Sequence, residues 1–365
     1  MPYPYVLPEQ YQQQLDEKVL RFTDALEQLG PQAPSCSLDI LTSPLTHYRL
    51  RAEFKIWHEG NRACYAMTDP ETKKPVFIDD FPVAAKNINT LMAPLLEAIN
   101  SNEILRKKCF QAEFLTTLTE DTVVTLIYHK ALNEDWIEAI QSVKEKLNIN
   151  IIGRSRKQKI VLDRDYVTET LSVNKQQYHY KQIEGGFTQP NGRVCEKMLS
   201  WAVDKSQSIS GDLLELYCGN GNFTIPLSKN FNQVIATEIA KTSVNAAHDN
   251  LQLNNIDNVK IARMSSEEFV QAIDKVREFR RLKDITLDDY HFSTVFVDPP
   301  RAGLDLDTVK MVQRFDNIIY ISCNPTTLID NLKALCQTHK IDALAAFDQF
   351  PYTDHLETGV ILSSR

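Results

Sequence analysis

Asp212-Leu213-Leu214-Glu215-Leu216-Tyr217-Cys218-Gly219-Asn220-Gly221-Asn222-Phe223 decides how this chain is read. An apolar run long enough for one buried strand breaks into a turn with two close-set glycines, then into a helix start. Glycines let the main chain approach a ligand, and a helix N-terminus offers free N–H groups. About 20 residues on, where a nucleotide-binding fold places a ribose-binding acid, Val234-Ile235-Ala236-Thr237 ends in Glu238.

The spacing extends outward from that stretch. Strands are predicted over 213–217, 233–237, 258–262, 293–297 and 317–321, with helices over 222–229, 241–254, 265–276, 305–313 and 326–337 between them. Two more strands follow near 342–347 and 359–363, and the charged segment 277–291 reads as an insertion. Strict β–α alternation predicts an α/β fold of Rossmann type, a doubly wound and mainly parallel sheet. Thr224 holds the position of a third glycine, which disfavours a pyrophosphate cradle and favours S-adenosylmethionine (SAM), which needs only the first two.

The first half reads differently. Leu15, Val19, Leu20, Phe22, Leu26 and Leu29 predict a helix over 9–29, and Tyr48, Leu50, Ala52, Phe54 and Ile56 alternate with Arg49, Arg51, Glu53 and Lys55 along a strand. Turns are expected at Asp69-Pro70 and Asp79-Asp80, a short strand at 75–78, helices over 84–108 and 133–147, a hairpin of 110–118 with 122–129, and strands near 149–153, 158–162 and 166–171. Runs of strands without alternation predict an α+β domain. The boundary is placed near Glu184-Gly185-Gly186, dividing the chain into 1–182, for RNA recognition, and 183–365, for catalysis.

Bulk properties narrow the class. The chain has 365 residues, 43% of them hydrophobic, which suits two domains with sizeable cores. No apolar run reaches the length of a membrane span, and Met1-Pro2-Tyr3-Pro4-Tyr5 has neither a basic nor an apolar leader segment, so no membrane association and a cytoplasmic location are expected. The seven cysteines are scattered without a C-x-x-C pair, which argues against a bound metal, an iron–sulfur cluster or a disulfide framework. With 40 basic against 48 acidic residues, net charge −8, any nucleic-acid contact must rest on local patches, such as Arg49 with Arg51 or the run Arg154 to Lys159. Such binding weakens as salt rises.

Two further strands end in reactive-looking turns. Thr294-Val295-Phe296-Val297 leads into Asp298-Pro299-Pro300-Arg301, and Ile318-Ile319-Tyr320-Ile321 into Ser322-Cys323-Asn324-Pro325. In nucleobase methyltransferases a D-P-P turn places a carboxylate between cofactor and base, and Arg301 offers planar donors for a uracil carbonyl or a phosphate. Carbon 5 of a pyrimidine is a feeble nucleophile. A thiolate adding to carbon 6 turns the ring into an enolate that can take a methyl from SAM, and a base must then remove the carbon-5 proton. Cys323 supplies the thiol, with an ionisation expected to be eased by the helix that begins after it. Glu357, His355 and Asp354, in the turn before the last strand, are rival candidates for the base.

Together, Leu216 to Phe223, Asp298 to Leu304, Ile321 to Pro325 and His355-Leu356-Glu357, with Phe187-Thr188-Gln189-Pro190-Asn191, Tyr48 to Phe54 and Tyr128-His129-Lys130, resemble the RNA 5-methyluridine methyltransferases, nearest to their bacterial tRNA-acting branch. The resemblance covers essentially the whole chain. It implies Cys323 as nucleophile and Glu357 as proton acceptor. It implies SAM contacts at Gln189, Tyr217, Gly219, Asn222, Glu238 and Asp298, and RNA contacts at Phe110 and His129. The implied substrate is the T-arm of tRNA, methylated at T-loop position 54, with the tRNA-like domain of tmRNA as a further candidate. No obligate protein partner is evident. The missing cysteine cluster and leading barrel of ribosomal-RNA relatives favour tRNA. Ribosomal RNA, or a tRNA-folding role without catalysis, are the alternatives.

Overall fold

A computed structural model describes residues 6–69 and 72–365; Pro70 and the Met1–Tyr5 leader reading lie outside the described residues. The chain forms two compact units, each drawn from several stretches of the sequence. One comprises Val6–Pro8, Pro44–Thr170 and Lys181–Gly192; the other comprises Glu9–Ser43, Leu171–Tyr180 and Arg193–Arg365. No single cut at residue 182 reproduces this division: the N-terminal helix, expected with the first half, belongs to the unit that carries the glycine turn.

That unit is built on an eight-stranded sheet. Its strands are β1 (Leu38–Leu41), β11 (Asp212–Leu216), β12 (Val234–Thr237), β13 (Val259–Ala262), β14 (Phe292–Val297), β15 (Asn317–Ser322), β16 (His339–Phe347) and β17 (Glu357–Ser364), in the order β1-β16-β17-β15-β14-β11-β12-β13. β11, β12, β13, β14 and β15 pair in parallel, while β17 lies antiparallel between β15 and β16. The helices are α1 (Tyr11–Glu27), α5 (Gly192–Ser206), α6 (Thr224–Leu227), α7 (Lys241–Leu253), α8 (Ser266–Ile273), α9 (Leu306–Val312) and α10 (Pro325–Leu335). The expected doubly wound sheet is present. Its central strands are apolar on both faces because helices cover both, and Leu214, Val295, Ile318, Tyr320 and Leu328 join one continuous core. The chain order reverses at β11, which has β12 on one side and β14 on the other. Ligands of open α/β sheets bind beyond the strand C-termini at such a switch point.

The other unit holds a seven-stranded sheet in the order β4 (Pro75–Phe77), β3 (Arg62–Thr68), β2 (Arg51–Glu59), β5 (Cys109–Thr116), β6 (Thr122–Tyr128), β7 (Asn150–Ser155) and β8 (Gln158–Val161). It is antiparallel except where β6 and β7 run parallel, joined across α4 (Glu134–Leu147). The helix predicted over 84–108 is two pieces, α2 (Lys86–Ser101) and α3 (Glu103–Arg106), because Asn102 adopts extended backbone and caps the second. A ribbon of β9 (Tyr166–Val173) and β10 (Gln176–Ile183) completes the strands. Among the described residues no helix is long and apolar enough to cross a membrane.

Candidate active site

The glycine turn does what its composition requires. Gly219 and Gly221 take φ +57° and +85°, and a Cβ added at Gly219 would meet nothing within 4 Å, so the main chain there faces open space. Tyr217, a bulky residue, also sits at φ +63°. Such a conformation costs an ordinary side chain about 1–3 kcal/mol and persists only where surroundings impose it. Here the Tyr217 hydroxyl is 2.9 Å from Ser266 Oγ at the start of α8.

Glu238 closes the same edge. Its carboxylate accepts from the main-chain N–H of Gly219 at 3.1 Å and of Ala240 at 2.7 Å. The Asn222 carbonyl accepts from the buried Tyr180 hydroxyl at 3.0 Å, and its side-chain amide meets the Cys195 thiol. An open glycine turn, an oriented carboxylate and a fixed amide fit a nucleoside with vicinal hydroxyls, as in SAM. Cys218, beside the glycines, is buried and packs into the core. Gln189 is half-buried in the other unit, between Phe187 and Asn191.

The reacting edge is set by strand register. β14 ends at Val297, delivering Asp298; β15 ends at Ser322, delivering Cys323. Antiparallel pairing places Ser322 opposite Thr358, so Cys323 and Glu357 emerge side by side from neighbouring strands, and the Thr358 hydroxyl donates to the Ser322 carbonyl at 3.1 Å. Asn324 caps α10 by accepting from Thr326 N–H, Pro325 takes the first helical position, and Asn324 Nδ2 donates to the Arg301 carbonyl at 3.0 Å. Thr327 Oγ1 donates to the same carbonyl at 3.3 Å. The two turns are thus latched together. Arg301 is exposed, with Nη2 at 3.4 Å from His355 Nδ1.

The net effect of the surroundings on Cys323 runs against the easing expected from the start of α10. Burial and the charges of Glu357 and Asp298 push its thiol up to about 11, Arg301 opposing only in part. Glu357, buried, is held up at about 8 by desolvation and then by Asp298. Burial holds Asp298 up at about 7. Desolvation disfavours the charged form of each group, and like charges compound it. Clustered displaced groups of this kind mark a functional site.

Glu215 adds a test of this environment. It lies mid-strand in β11, 1% exposed, with Oε2 lacking a hydrogen-bond partner, and burial with the Asp298 charge lifts it to about 8. A carboxyl raised in the folded state stabilises below its unfolded value of roughly 4.3, and that contribution is lost as pH climbs through the folded value. Glu215→Gln removes the loss. Its melting temperature relative to wild type should therefore rise by a few degrees between pH 5 and pH 8, as read by thermal denaturation at both pH values. A difference unchanged with pH would contradict the raised carboxyl.

In the other unit, Phe110 and His129 are both exposed and stack at 4.2 Å between ring centroids. The register shift between Cys109 and Gln111 turns Phe110 outward, and His129 N–H donates to the Lys108 carbonyl at 2.9 Å. Arg49 Nε donates to the Arg51 carbonyl and Arg51 Nη1 to the Gly186 carbonyl, so both guanidinium groups are partly engaged by main chain. Lys159 and Arg154 are ion-paired with Glu184.

The family model of tRNA (uracil-5-)-methyltransferases matches residues 10–365. The chain belongs to the tRNA (uracil-5-)-methyltransferase family. A tRNA/tmRNA (uracil-C(5))-methyltransferase of Saccharophagus degradans is 58% identical over 98% of this chain and 98% of its own length. One of Cellvibrio japonicus is 56% identical over 97% and 96%. The crystal structure of Pyrococcus abyssi tRNA (uracil-54, C5)-methyltransferase in complex with S-adenosyl-L-homocysteine is 23% identical, has a TM-score of 0.72, and is matched over 96% of this chain and 83% of that one. It shows that the fold is shared. Within this methyltransferase family member, residues the sequence reading passed over do local work. Ser266, Asn324 and Thr327 hold Tyr217 and the Arg301 turn. The cap at Asn324 was visible in Asn-Pro; the Ser266 and Thr327 contacts cross between elements and leave no signal in spacing.

Proposed function

We propose that this protein methylates carbon 5 of the T-loop uridine of tRNA, at position 54, and the equivalent uridine of tmRNA. Cys323 is the nucleophile and Glu357 the proton acceptor. The observation that carries the reading is the juxtaposition of Cys323 and Glu357 at the ends of paired strands, at the sheet edge where the Gly219 turn opens.

Cys323 Sγ bonds to carbon 6 of the flipped uracil as its proton passes to a neighbouring carboxylate. The ring electrons shift toward carbon 4 and give carbon 5 carbanion character. SAM would supply an electrophilic methyl on a sulfonium, taken up by carbon 5 as S-adenosylhomocysteine leaves, and its positive charge would also favour ionised carboxylates beside it. Glu357 then takes the carbon-5 proton, the carbon 6–sulfur bond breaks, and the electron pair returns to Cys323. The cycle needs two proton acceptors, and Asp298 and Glu357 are the two whose charges bear on the thiol.

Tyr217, Gly219, Asn222 and Glu238 hold SAM, and Gln189 is assigned to SAM by the family resemblance alone. Arg301 meets the uracil or its phosphate. Phe110 and His129 stack on bases displaced from the T-loop, a role for which exposed flat rings are suited, and Arg49 and Arg51 contact the RNA backbone. Incubating the protein with an unmodified tRNA transcript and SAM should yield one 5-methyluridine per tRNA, at position 54, by nucleoside mass spectrometry of mapped fragments. Methylation of ribosomal RNA alone would overturn the substrate.

A further inference from the structure

The buried stripe of α1 runs Tyr11, Leu15, Lys18, Phe22 and Leu26. Lysine occupies a position where an apolar side chain would continue the seal. Lysine is almost never fully buried unless paired, and a buried pair is weak evidence for stability because desolvation opposes the attraction. Yet Lys18 is 3% exposed, donating to Asp348 Oδ1 at 2.8 Å and to the Phe350 carbonyl at 2.9 Å. Both acceptors lie in the turn 348–356, which joins β16 to β17 and delivers Glu357.

We infer that Lys18 is a positioning residue for methyl transfer, fixing the turn that carries His355 and leads into Glu357. Other contacts surround that anchor. Asp348 N–H donates to the Leu41 carbonyl at 3.0 Å, and the Tyr11 hydroxyl accepts from Ser43 N–H at 2.8 Å. Tyr352, at φ +61°, sets its ring edge-on to Tyr11 at 6.1 Å. The Phe350 carbonyl held by Lys18 also accepts from Thr353 Oγ1 at 2.8 Å, and Thr353 Oγ1 in turn accepts from His355 N–H at 3.3 Å. The Phe350 ring meets the His355 ring edge-on at 5.8 Å. His355 then faces Arg301, whose carbonyl is latched to Asn324 beside Cys323. Strand pairing fixes the main chain of Glu357; Lys18 fixes the wall beside it. The second link from α1 to this turn, Arg21 to Asp354, is 57% and 92% exposed and carries little, since exposed pairs are screened.

This inference rests on the reading of Glu357 as proton acceptor. The test compares Lys18→Met with the double variant Lys18→Met/Asp348→Leu, which leaves no unpaired buried charge. Arg21→Ala is the control, and Glu357→Gln is run in parallel. A turn misplaced by about 1 Å costs up to ~100-fold. The double variant should therefore melt near wild type, keep its KM for SAM, and lose ~10- to 100-fold in kcat. It should also accumulate an SDS-stable adduct on ordinary tRNA, because proton removal is slowed. Arg21→Ala should stay within about twofold of wild type. A folded double variant with wild-type kcat overturns the inference. So does a kcat loss matched by loss of SAM affinity without adduct, or failure of both Lys18 variants to fold, either of which makes Lys18 structural. If Glu357→Gln turns over without adduct, the base is misassigned; the split between kcat and KM in the Lys18 variants still decides the positioning role.

Discussion

Glu357→Gln should stall the enzyme on ordinary tRNA. The amide keeps the shape of the side chain and cannot accept the carbon-5 proton, so addition and methyl transfer proceed and elimination does not. Turnover should fall by ~10²- to 10⁴-fold, the usual contribution of a positioned general base. A methylated tRNA–protein adduct should survive SDS electrophoresis. Two features of the site make this variant informative. Glu357 is buried and neutral-leaning, up at about 8, so its amide is nearly isosteric with the form that predominates at neutral pH. Fold and SAM binding should therefore be preserved. In the wild type the rate should rise with pH through that value, because only the carboxylate accepts a proton; Glu357→Gln should lack that limb. Rapid turnover by the variant would move the base to His355 or Asp354.

Cys323→Ala should abolish methylation by on the order of 10⁴-fold or more, as loss of a covalent nucleophile does. The same variant should still bind SAM, since the Gly219 turn and Glu238 stand on other strands. It should also bind tRNA. The thiol, pushed up to about 11, ionises only in concert with attack on the ring, so alkylating reagents should label free Cys323 slowly at neutral pH and faster as pH rises. Retained methylation by Cys323→Ala would remove the covalent step altogether.

The catalytic half of the fold was legible because each strand is an apolar run bounded by turn residues, and because Gly219, Asp298 and Cys323 follow, and Glu357 opens, a strand that the spacing identifies. Other parts were not. β1 has four residues at the sheet edge, with Ile40 exposed, and shows no alternation. β10 and α5 follow one another through the stretch where the domain boundary was placed, and Glu184-Gly185-Gly186 masked a buried carboxylate paired with Arg154. The assignment of α1 to the unit of the eight-stranded sheet was invisible because its apolar stripe says that it packs, not on what. Lys18 reads as a solvated charge until Asp348, distant in sequence, is placed beside it. The direction of the Cys323 shift was missed for a related reason. A helix start is local and readable, whereas burial and two carboxylates converge on the thiol only after folding.

The central claim is a bond between Cys323 and carbon 6 of the T-loop uracil. The most direct test is incubation of the wild-type protein with SAM and a tRNA transcript containing 5-fluorouridine, followed by protease and nuclease digestion and mass spectrometry of the SDS-stable complex. Fluorine at carbon 5 leaves no proton for Glu357 to remove, so the adduct should persist as a methylated 5-fluorouridine fragment attached to the peptide containing Cys323. No stable complex, or an adduct mapped to another residue, would contradict the account.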